Sequence, residues 1–598
     1  TISEIKEILQ EPSRILLANK LELQLLEQAI LALKKDQERI HNFIKPYNTI
    51  LAPTRRMPDD ILHEIFYHTL SSHRFPIMDA SEAPLLLTHI CSSWRSIALS
   101  SPRLWAKLII SLPTPPLTRS RGDLSNTEKL SIQKYERAAT LRSEVIKIWL
   151  DRSGECPLSM TVICPPGLYG DWDEWMTRML DNIVSCAERW HSAELMVPYR
   201  IYSKIEASIS EKVEKLPMLR RFQLKLQLPV SLRTPVRSQP ESASLIFLNS
   251  PKLETLSLSW QRFTKKFRDM PPVWNQLRRL FLHSELPGID LIPLLSKCPN
   301  LTECRLRVSN SGHDDYNNVV QQTAPQTGRV FLPHLQSFIV HDTSISLATG
   351  AAFRAINAPS LSRVGYTRSF GGSSDWNDAS TEILRTQLSS VCDLLGAAPI
   401  EKFMLTLAYT ASETVVNILK KVSSPKHVII GQKPLPFRQA ESTGSPRYMD
   451  TVYHQLPPRL NKFNLSNLII TDSSSSESIA EQVDILPNLE ILEAYGISHF
   501  GDDDAFEMIK SRLDASKAGR VAGLKTVKIH FDRHIERDIK EEIARYAREV
   551  DASPVELELV YEKADDRPTH MKHLSSSYGL SEAKGLSWAG SVEYDEFQ

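Results

Sequence analysis

Residues 251–258 read PKLETLSL, and this stretch decides the fold. Its three leucines, Leu253, Leu256 and Leu258, form an apolar anchor, a second apolar position three residues later and a third two residues after that. The alternation of the last two positions is typical of a short strand with one buried face. Two further copies follow at intervals of 24 residues, LRRLFL at 277–282 and LTECRL at 301–306. The chain is therefore predicted to return to the same strand at short intervals.

The pattern occurs ten times, with 24 to 60 residues between successive anchors. Six copies carry a proline two positions before the anchor: Pro217, Pro251, Pro299, Pro333, Pro359 and Pro487. Such a proline prevents the preceding helix from continuing and starts each strand in the same way. The ten copies are Leu219/Phe222/Leu224, Leu253/Leu256/Leu258, Leu277/Leu280/Leu282, Leu301/Cys304/Leu306, Leu335/Phe338/Val340, Leu361/Val364/Tyr366, Ile400/Phe403/Leu405, Leu460/Phe463/Leu465, Leu489/Leu492/Ala494 and Leu524/Val527/Ile529.

Helix-compatible stretches lie between the copies, for example at 291–297, 383–395 and 505–513. Alternating strands and helices predict parallel strands on one face and helices on the other. The pattern resembles irregular leucine-rich repeats, and we expect an α/β solenoid, a horseshoe, over residues 139–560. It is weakest at 366–456, where an inserted loop would fit. The polar residues 561–598 are predicted to be a flexible tail.

The composition supports one long array as well as it supports several domains. The 598 residues include 71 Lys+Arg and 71 Asp+Glu, so the formal net charge is zero. This balance gives no field to attract nucleic acid or an anionic membrane, and a protein partner is expected. With only 21 glycines the chain is a poor candidate for glycine-lined phosphate loops. Seven widely spaced cysteines favour a reducing compartment, so we expect a cytoplasmic or nuclear protein.

Residues 1–46 are predicted to be a leucine-rich helix that ends at Pro46. Apolar residues from Leu16 to Ile44 keep a heptad spacing, interrupted by Asn19 and Gln37. Two alternatives remain open. The helix folds back on its own chain as a helical hairpin, or residues 16–44 form a coiled coil with a partner, including self-association.

Residues 53–110 form a second predicted unit, small and all-α, followed by a linker at 111–138. Its first helix carries one apolar stripe, which includes Ile61, Leu62, Ile65 and Phe66. So short a unit cannot bury the whole stripe within itself, and part of it should remain for a partner helix. The alternative is that the stripe packs on the neighbouring solenoid.

Six residue pairs follow one another in this unit: Met57-Pro58, Ile61-Leu62, Ile65-Phe66, Ile90-Cys91, Trp94-Arg95 and Leu104-Trp105. Their order resembles that of an F-box, the helical module by which substrate receptors attach to a cullin ubiquitin ligase through the Skp adaptor. With the leucine-rich helix before it, the module is also similar to the large F-box protein families of mushroom-forming fungi. The segment 71–84 is longer than the link usual in the family. The resemblance implies adaptor contacts by Met57, Pro58, Ile61, Leu62, Ile65, Phe66, Trp94, Leu104 and Trp105.

We recognise no catalytic motif in the sequence, and no catalytic residue, cofactor or metal site is predicted. His63 and His68 imitate a zinc-protease motif, but their spacing of five puts them about 140° apart around a helix, whereas a zinc pair needs i and i+4. Cys298 and Cys304 have no second cysteine pair or histidine nearby to complete four ligands.

The sequence thus favours a non-catalytic substrate receptor over a repeat scaffold with no ubiquitin role that self-associates through its first helix. A receptor would act by proximity, holding a target protein near a conjugating enzyme. The identity of the target lies beyond the sequence. Candidate target-facing residues occupy the free positions of three copies, with a positive bias that suggests an acidic target surface: Arg220, Arg221, Gln223, Arg278, Arg279, Arg305 and Arg307.

Overall fold

A computed structural model describes residues 2–51, 57–71, 74–113, 126–164, 174–213, 215–227, 246–259, 274–309, 329–342, 347–368, 386–394, 398–407, 412–422, 425–431, 465–470, 484–497, 501–531 and 533–561. The described residues fall into two compact units. The first lies within Thr1–Leu70 and Leu87–Ser101, and the second within Ser71–Leu86 and Pro102–Gln598. The predicted docking module at 53–110 contributes to both units.

The first unit is helical. Helix α1 spans Ile2–Leu51 without interruption, and both Pro12 and Pro46 lie inside it. The prediction that Pro46 ends the helix is wrong, and so is the hairpin alternative, because residues 2–51 form one helix. Every described side chain of α1 is exposed.

Two shorter helices complete this unit, α2 at Asp59–His68 and α3 at Ser92–Leu99. Their main contact is between the rings of Phe66 and Trp94, whose centroids are 4.9 Å apart. Arg95 Nε donates a hydrogen bond to the carbonyl of Thr88 at 2.7 Å and fixes α3 to the preceding turn. The ring contact therefore joins α2 to α3, and the part-buried polar contact joins α3 to the turn before it.

The second unit is built on a 14-stranded parallel sheet whose strands follow chain order. The α/β class and the long N-terminal helix predicted from the sequence are therefore present. The strands are β1 Lys107–Ser111, β2 Leu158–Ile163, β3 Trp190–Pro198, β4 Arg221–Gln227, β5 Thr255–Ser259, β6 Arg279–Pro287, β7 Glu303–Ser309, β8 Ser337–Asp342, β9 Arg363–Arg368, β10 Lys402–Leu407, β11 His427–Ile430, β12 Ile491–Ile497, β13 Thr526–Phe531 and β14 Glu556–Tyr561. A separate parallel pair joins Val330–Phe331 to Ile356–Asn357.

The repeated motif sets the lateral register of this sheet. Nine of the ten predicted copies lie in strands, and their second positions pair with one another from strand to strand. Because residues of one register row share a face, the motif side chains form one continuous core, and their anchors are buried as well. From β4 to β13 the paired residues are Phe222, Leu256, Leu280, Cys304, Phe338, Val364, Phe403, Val428, Leu492 and Val527.

The prolines before the anchors start tight turns. In five of these six turns the anchor N–H donates to the carbonyl three residues earlier, as Leu253 does to Ser250 at 3.3 Å and Leu361 does to Ala358 at 3.2 Å. Proline then occupies the position of a β-turn where its fixed φ is favoured. The proline therefore aims the chain into the strand as well as ending the element before it.

One predicted copy is wrong. Leu460 and Phe463 lie outside the described residues, and Leu465 begins a short 3₁₀ helix, Leu465–Leu468, rather than a strand. The strand between β10 and β12 is β11, whose Val428 and Ile430 follow Pro425 at the motif spacing. Proline replaces the apolar anchor there, so the pattern search passed over it.

Helix α4, Pro102–Trp105, precedes β1. Helices connect many of the strands that follow: α5 Asn126–Arg152, α6 Glu174–Val184, α7 Tyr199–Lys212, α8 Leu291–Ser296, α9 Leu347–Ala355, α10 at 386–394, α11 Ser412–Lys421, α12 Asp502–Lys517 and α13 Lys540–Glu549. They pack on the motif face, where Phe353 of α9 lies edge-on to Phe338 and Tyr366. Helix α5 begins at Asn126, so the second half of the predicted linker at 111–138 is helical.

Residues 74–84 lie against the first edge of the sheet. Ile77 forms a parallel bridge with Ile109 of β1, and Ile109 N–H donates to the Pro76 carbonyl at 2.8 Å. Arg74 Nη2 donates to both carboxylate oxygens of Glu82, at 2.6 and 2.8 Å, and closes the segment on itself. An unpaired edge strand invites aggregation, and this segment covers part of that edge.

Candidate protein-binding surfaces

Helix α2 divides its apolar stripe between two faces. Leu62 and Phe66 are 3% and 0% exposed and pack inward, whereas Ile61 and Ile65 are 50% and 39% exposed. With the exposed Pro58 before them, Ile61 and Ile65 keep the 3–4 spacing of a single outward helix face. We call Pro58, Ile61 and Ile65 the α2 stripe. It has the spacing by which an amphipathic helix binds a groove.

The remaining predicted adaptor contacts lie elsewhere. Met57 and Trp94 are half-buried. Leu104 and Trp105 are buried in the second unit, where the Trp105 ring lies edge-on to Trp149 at 4.8 Å and under the Arg152 guanidinium at 4.6 Å. The expectation that they contact an adaptor directly does not fit this burial, because they are core residues of the second unit.

His63 is not a metal ligand in this arrangement. Its Nδ1 is hydrogen-bonded to the hydroxyl of Ser101, which also donates to the Ile97 carbonyl at 2.6 Å. Across the described residues, no group of three or more His, Cys, Asp or Glu side chains could hold a metal ion.

The predicted target-facing residues belong to two places. Arg221, Gln223, Arg279, Arg305 and Arg307 alternate with motif side chains and therefore point to the sheet face opposite the helices. Arg220 and Arg278 stand one residue before β4 and β6. These two line an open groove of about 690 Å³ along the strand starts, together with Glu254, Thr302 and Gln336.

The groove is less basic than its arginines suggest. Arg220 Nη1 lies 2.7 Å from a carboxylate oxygen of Glu254, on an exposed pair. Backbone hydrogen bonds join the same row, since Arg278 N–H donates to the Glu254 carbonyl at 2.9 Å and Thr302 N–H donates to that of Arg278 at 2.7 Å. The row is thus a polar seam that also fixes the spacing of the turns.

An apolar group that the sequence analysis missed lies on the same face as Arg305. Ile339, Gly365, Met404 and Ile429 pair side by side on β8 to β11. A Cβ atom at Gly365 would lie 3.0 Å from Met404 Cε and 3.1 Å from Ile339 Cγ2, so those two side chains close over the glycine. Ile339 and Ile429 are nearly buried and Met404 is half-buried. We call these four residues the apolar floor.

Basic side chains border the apolar floor. Arg363 and Lys402 occupy laterally paired positions on β9 and β10, and Arg305 lies one strand before Ile339 in the same row. His341 adds no charge at neutral pH, because burial, helped by Arg307 and His283, lowers its pKa to about 4.

Acidic side chains occur toward the other end of this face, with Lys528 of β13 between Glu493 and Glu558 and 3.0 Å from a carboxylate oxygen of Glu558. Glu493 on β12 and Glu556 and Glu558 on β14 occupy the same two rows. Burial disfavours the ionised form of Glu493, but hydrogen bonds from His427 and Tyr495 outweigh it and lower its pKa to about 2.

No protein-family model matches the chain, and the comparison with curated proteins also found no match. In the part of the chain that the structure describes, no helix has both the length and the apolar character needed to cross a membrane. All seven cysteines are free thiols.

Proposed function

We propose that this protein is a non-catalytic substrate receptor of a Skp-cullin-F-box ubiquitin ligase. The observation that carries the proposal is the α2 stripe: Ile61 and Ile65 are exposed beside a helix face that is already buried. A folded helical unit that leaves two isoleucines of one face in water has a surface suited to a partner helix or groove. The F-box resemblance names the Skp adaptor as that partner.

We assign the parallel sheet to a leucine-rich-repeat solenoid as part of this proposal. The shared register of the motif and the repeated turn before each anchor support the assignment. In this arrangement the face opposite the helices receives the target. The apolar floor, with Arg305, Arg363 and Lys402 around it, suits a segment that combines acidic and apolar side chains.

The receptor has no chemical step of its own in this proposal. It brings a lysine of the target near a conjugating enzyme carried by other subunits, so the rate gain comes from effective concentration. Substitutions on the sheet face should then change target choice and leave adaptor binding unchanged.

The test is co-purification of the full chain with a Skp-type adaptor. Ile61→Asp with Ile65→Asp should abolish capture while the circular dichroism spectrum stays unchanged, because both side chains are exposed. Asp60→Ala, on the same helix but outside the α2 stripe, should leave capture intact. If the double variant still binds the adaptor, docking through this stripe is wrong.

The second candidate is a repeat scaffold with no ubiquitin role. The exposure of α1 favours it, since a helix with apolar side chains in water suits an assembly role with or without an adaptor. The wild-type chain decides between the two: a scaffold of this kind captures no adaptor.

A further inference from the structure

In the part of the chain that the structure describes, helix α1 presents an exposed apolar seam. Its 50 residues span about 75 Å, and the described apolar side chains are at least 44% exposed, from Ile44 at 44% to Ile2 at 77%. A helix in a protein gains most of its stability from packing of an amphipathic face. A partner is therefore needed along most of its length.

A single heptad register describes the helix from Leu16 to Leu51. The core positions a and d fall at intervals of three and four residues, and nine of these eleven positions are apolar. Pro46 falls at an outer position, away from the seam. The nine apolar residues of the α1 seam are Leu16, Leu23, Leu26, Ile30, Leu33, Ile40, Ile44, Tyr47 and Leu51. This register is typical of a coiled coil.

The two polar core positions restrict the register of a partner. Asn19 and Gln37 would each face an apolar residue in most pairings, which leaves a polar group buried. A second copy of this chain avoids that cost in two arrangements. In a parallel pair each residue meets its own counterpart, and in an antiparallel pair with Leu23 opposite Leu33, Asn19 meets Gln37.

Charges beside the seam separate these arrangements. A parallel pair brings Glu22 of one copy next to Glu27 of the other, which is its one like-charge contact. The antiparallel pair instead sets Lys20 against Lys34, Glu22 against Asp36, and Glu27 against its own counterpart. Repulsion therefore disfavours the antiparallel arrangement.

We propose that α1 joins two copies of this protein in a parallel, in-register coiled coil. The inference does not rest on adaptor binding, and it gives each assembly two copies of the repeat sheet. The dimer would present two target faces together, which raises avidity for a target with repeated sites.

Light scattering of the full chain on a sizing column tests the stoichiometry. The expected mass at micromolar concentration is about twice 67.8 kDa. Leu26→Lys with Leu33→Lys should weaken association at least a hundredfold and give the mass of one copy. Leu21→Lys with Leu25→Lys, equally exposed but off the seam, should remain dimeric. A wild-type mass of one or three copies, or loss of the dimer in this second variant, would overturn the proposal.

Cross-linking tests the orientation. Asn19→Cys and Gln37→Cys should each form a covalent dimer under mild oxidation, whereas the wild-type chain should not. Glu27→Lys should tighten the dimer several-fold at low salt, because it turns the Glu22 contact into an attraction. Cross-linking only in a mixture of the two cysteine variants, or no gain from Glu27→Lys, would rule out the parallel pair.

Discussion

Replacing Asp502 with asparagine is expected to loosen the last described strands of the sheet. Asp502 begins α12 and is 1% exposed. Its carboxylate accepts hydrogen bonds from Arg533 at 2.9 and 3.2 Å, from the backbone N–H groups of Glu536 and Arg537 at 2.9 Å, and from the Tyr561 hydroxyl at 2.8 Å. One side chain therefore holds a helix start, a loop and β14 together.

The expected loss of stability depends on Arg533, whose charge remains after Asp502 is replaced. Arg533 is 15% exposed and would lose its ion pair with Asp502, while its longer contact with the exposed Glu536, at 3.8 Å, would remain. Breaking a buried ion pair by removing one member costs about 3–5 kcal/mol, and the amide of asparagine recovers part of this through its oxygen. We expect a loss of about 3 kcal/mol from the local opening free energy of β13 and β14.

Hydrogen exchange measured by mass spectrometry detects this opening directly. Amides of β13 and β14 should exchange about a hundredfold faster in Asp502→Asn, while those of β4 to β8 keep their rates. Asp503→Asn is the matched control, because Asp503 pairs with Arg537 on the surface and such pairs contribute at most about 1 kcal/mol. Equal protection of β14 in wild type and Asp502→Asn would refute the reasoning.

The same carboxylate should make this end of the sheet sensitive to acid. Burial opposes ionisation of Asp502, but its hydrogen bonds from Arg533 and the backbone outweigh that effect and lower its pKa. A carboxyl group with a lowered folded pKa stabilises the fold above its unfolded pKa of about 4 and loses this effect as the pH falls further. Asp502→Asn should therefore flatten the loss of β14 protection below pH 4.

Three other predictions concern the core and the sheet face. The pKa of His341 is lowered to about 4, so stability should fall between about pH 6.5 and pH 4 as the unfolded chain takes up the proton first, and His341→Gln should flatten urea unfolding midpoints in that window. Phe66→Ala should cost about 3–5 kcal/mol in the helical unit and the exposed Ile65→Ala less than about 1 kcal/mol, as measured by chemical denaturation. Gly365→Val should cost about 1–3 kcal/mol by crowding Met404, and an unchanged unfolding midpoint would show that the apolar floor is not closely packed.

The sheet could be predicted from the sequence because the apolar spacing within each motif copy determines how its strand pairs with the next strand. Spacing of three and two residues places side chains on one face, and neighbouring copies pair only in the register that keeps that face buried. The strand β11 escaped the search because Pro425 stands where the pattern requires an apolar anchor. The copy at Leu460 fitted the pattern equally well, which shows that apolar spacing alone does not separate a strand from other apolar stretches.

The sequence predicts less about the candidate protein-binding surfaces than about the sheet. A helical stripe of four apolar residues covers two faces, and the sequence does not say whether Ile65 or Phe66 points inward. That choice depends on Trp94, which is distant in the chain and meets Phe66 in the folded unit. The apolar floor was missed because Ile339 and Met404 occupy positions that the pattern leaves free.

Because the strands share one register, a chain of this kind can change its length by whole turns. Leu256 pairs with Phe222 on one side and Leu280 on the other. All three are the second position of a motif copy and belong to the same row of core residues. Removing residues 253–276 would bring β6 beside β4 with leucine still opposite phenylalanine and the core row unbroken. The segment at Ile77 and the Asp502 contacts lie outside the excised turn and would be unaffected. Gain or loss of whole turns is thus a mild change to this architecture, whereas a shift of one residue within a turn would send every core side chain of its strand to the opposite face.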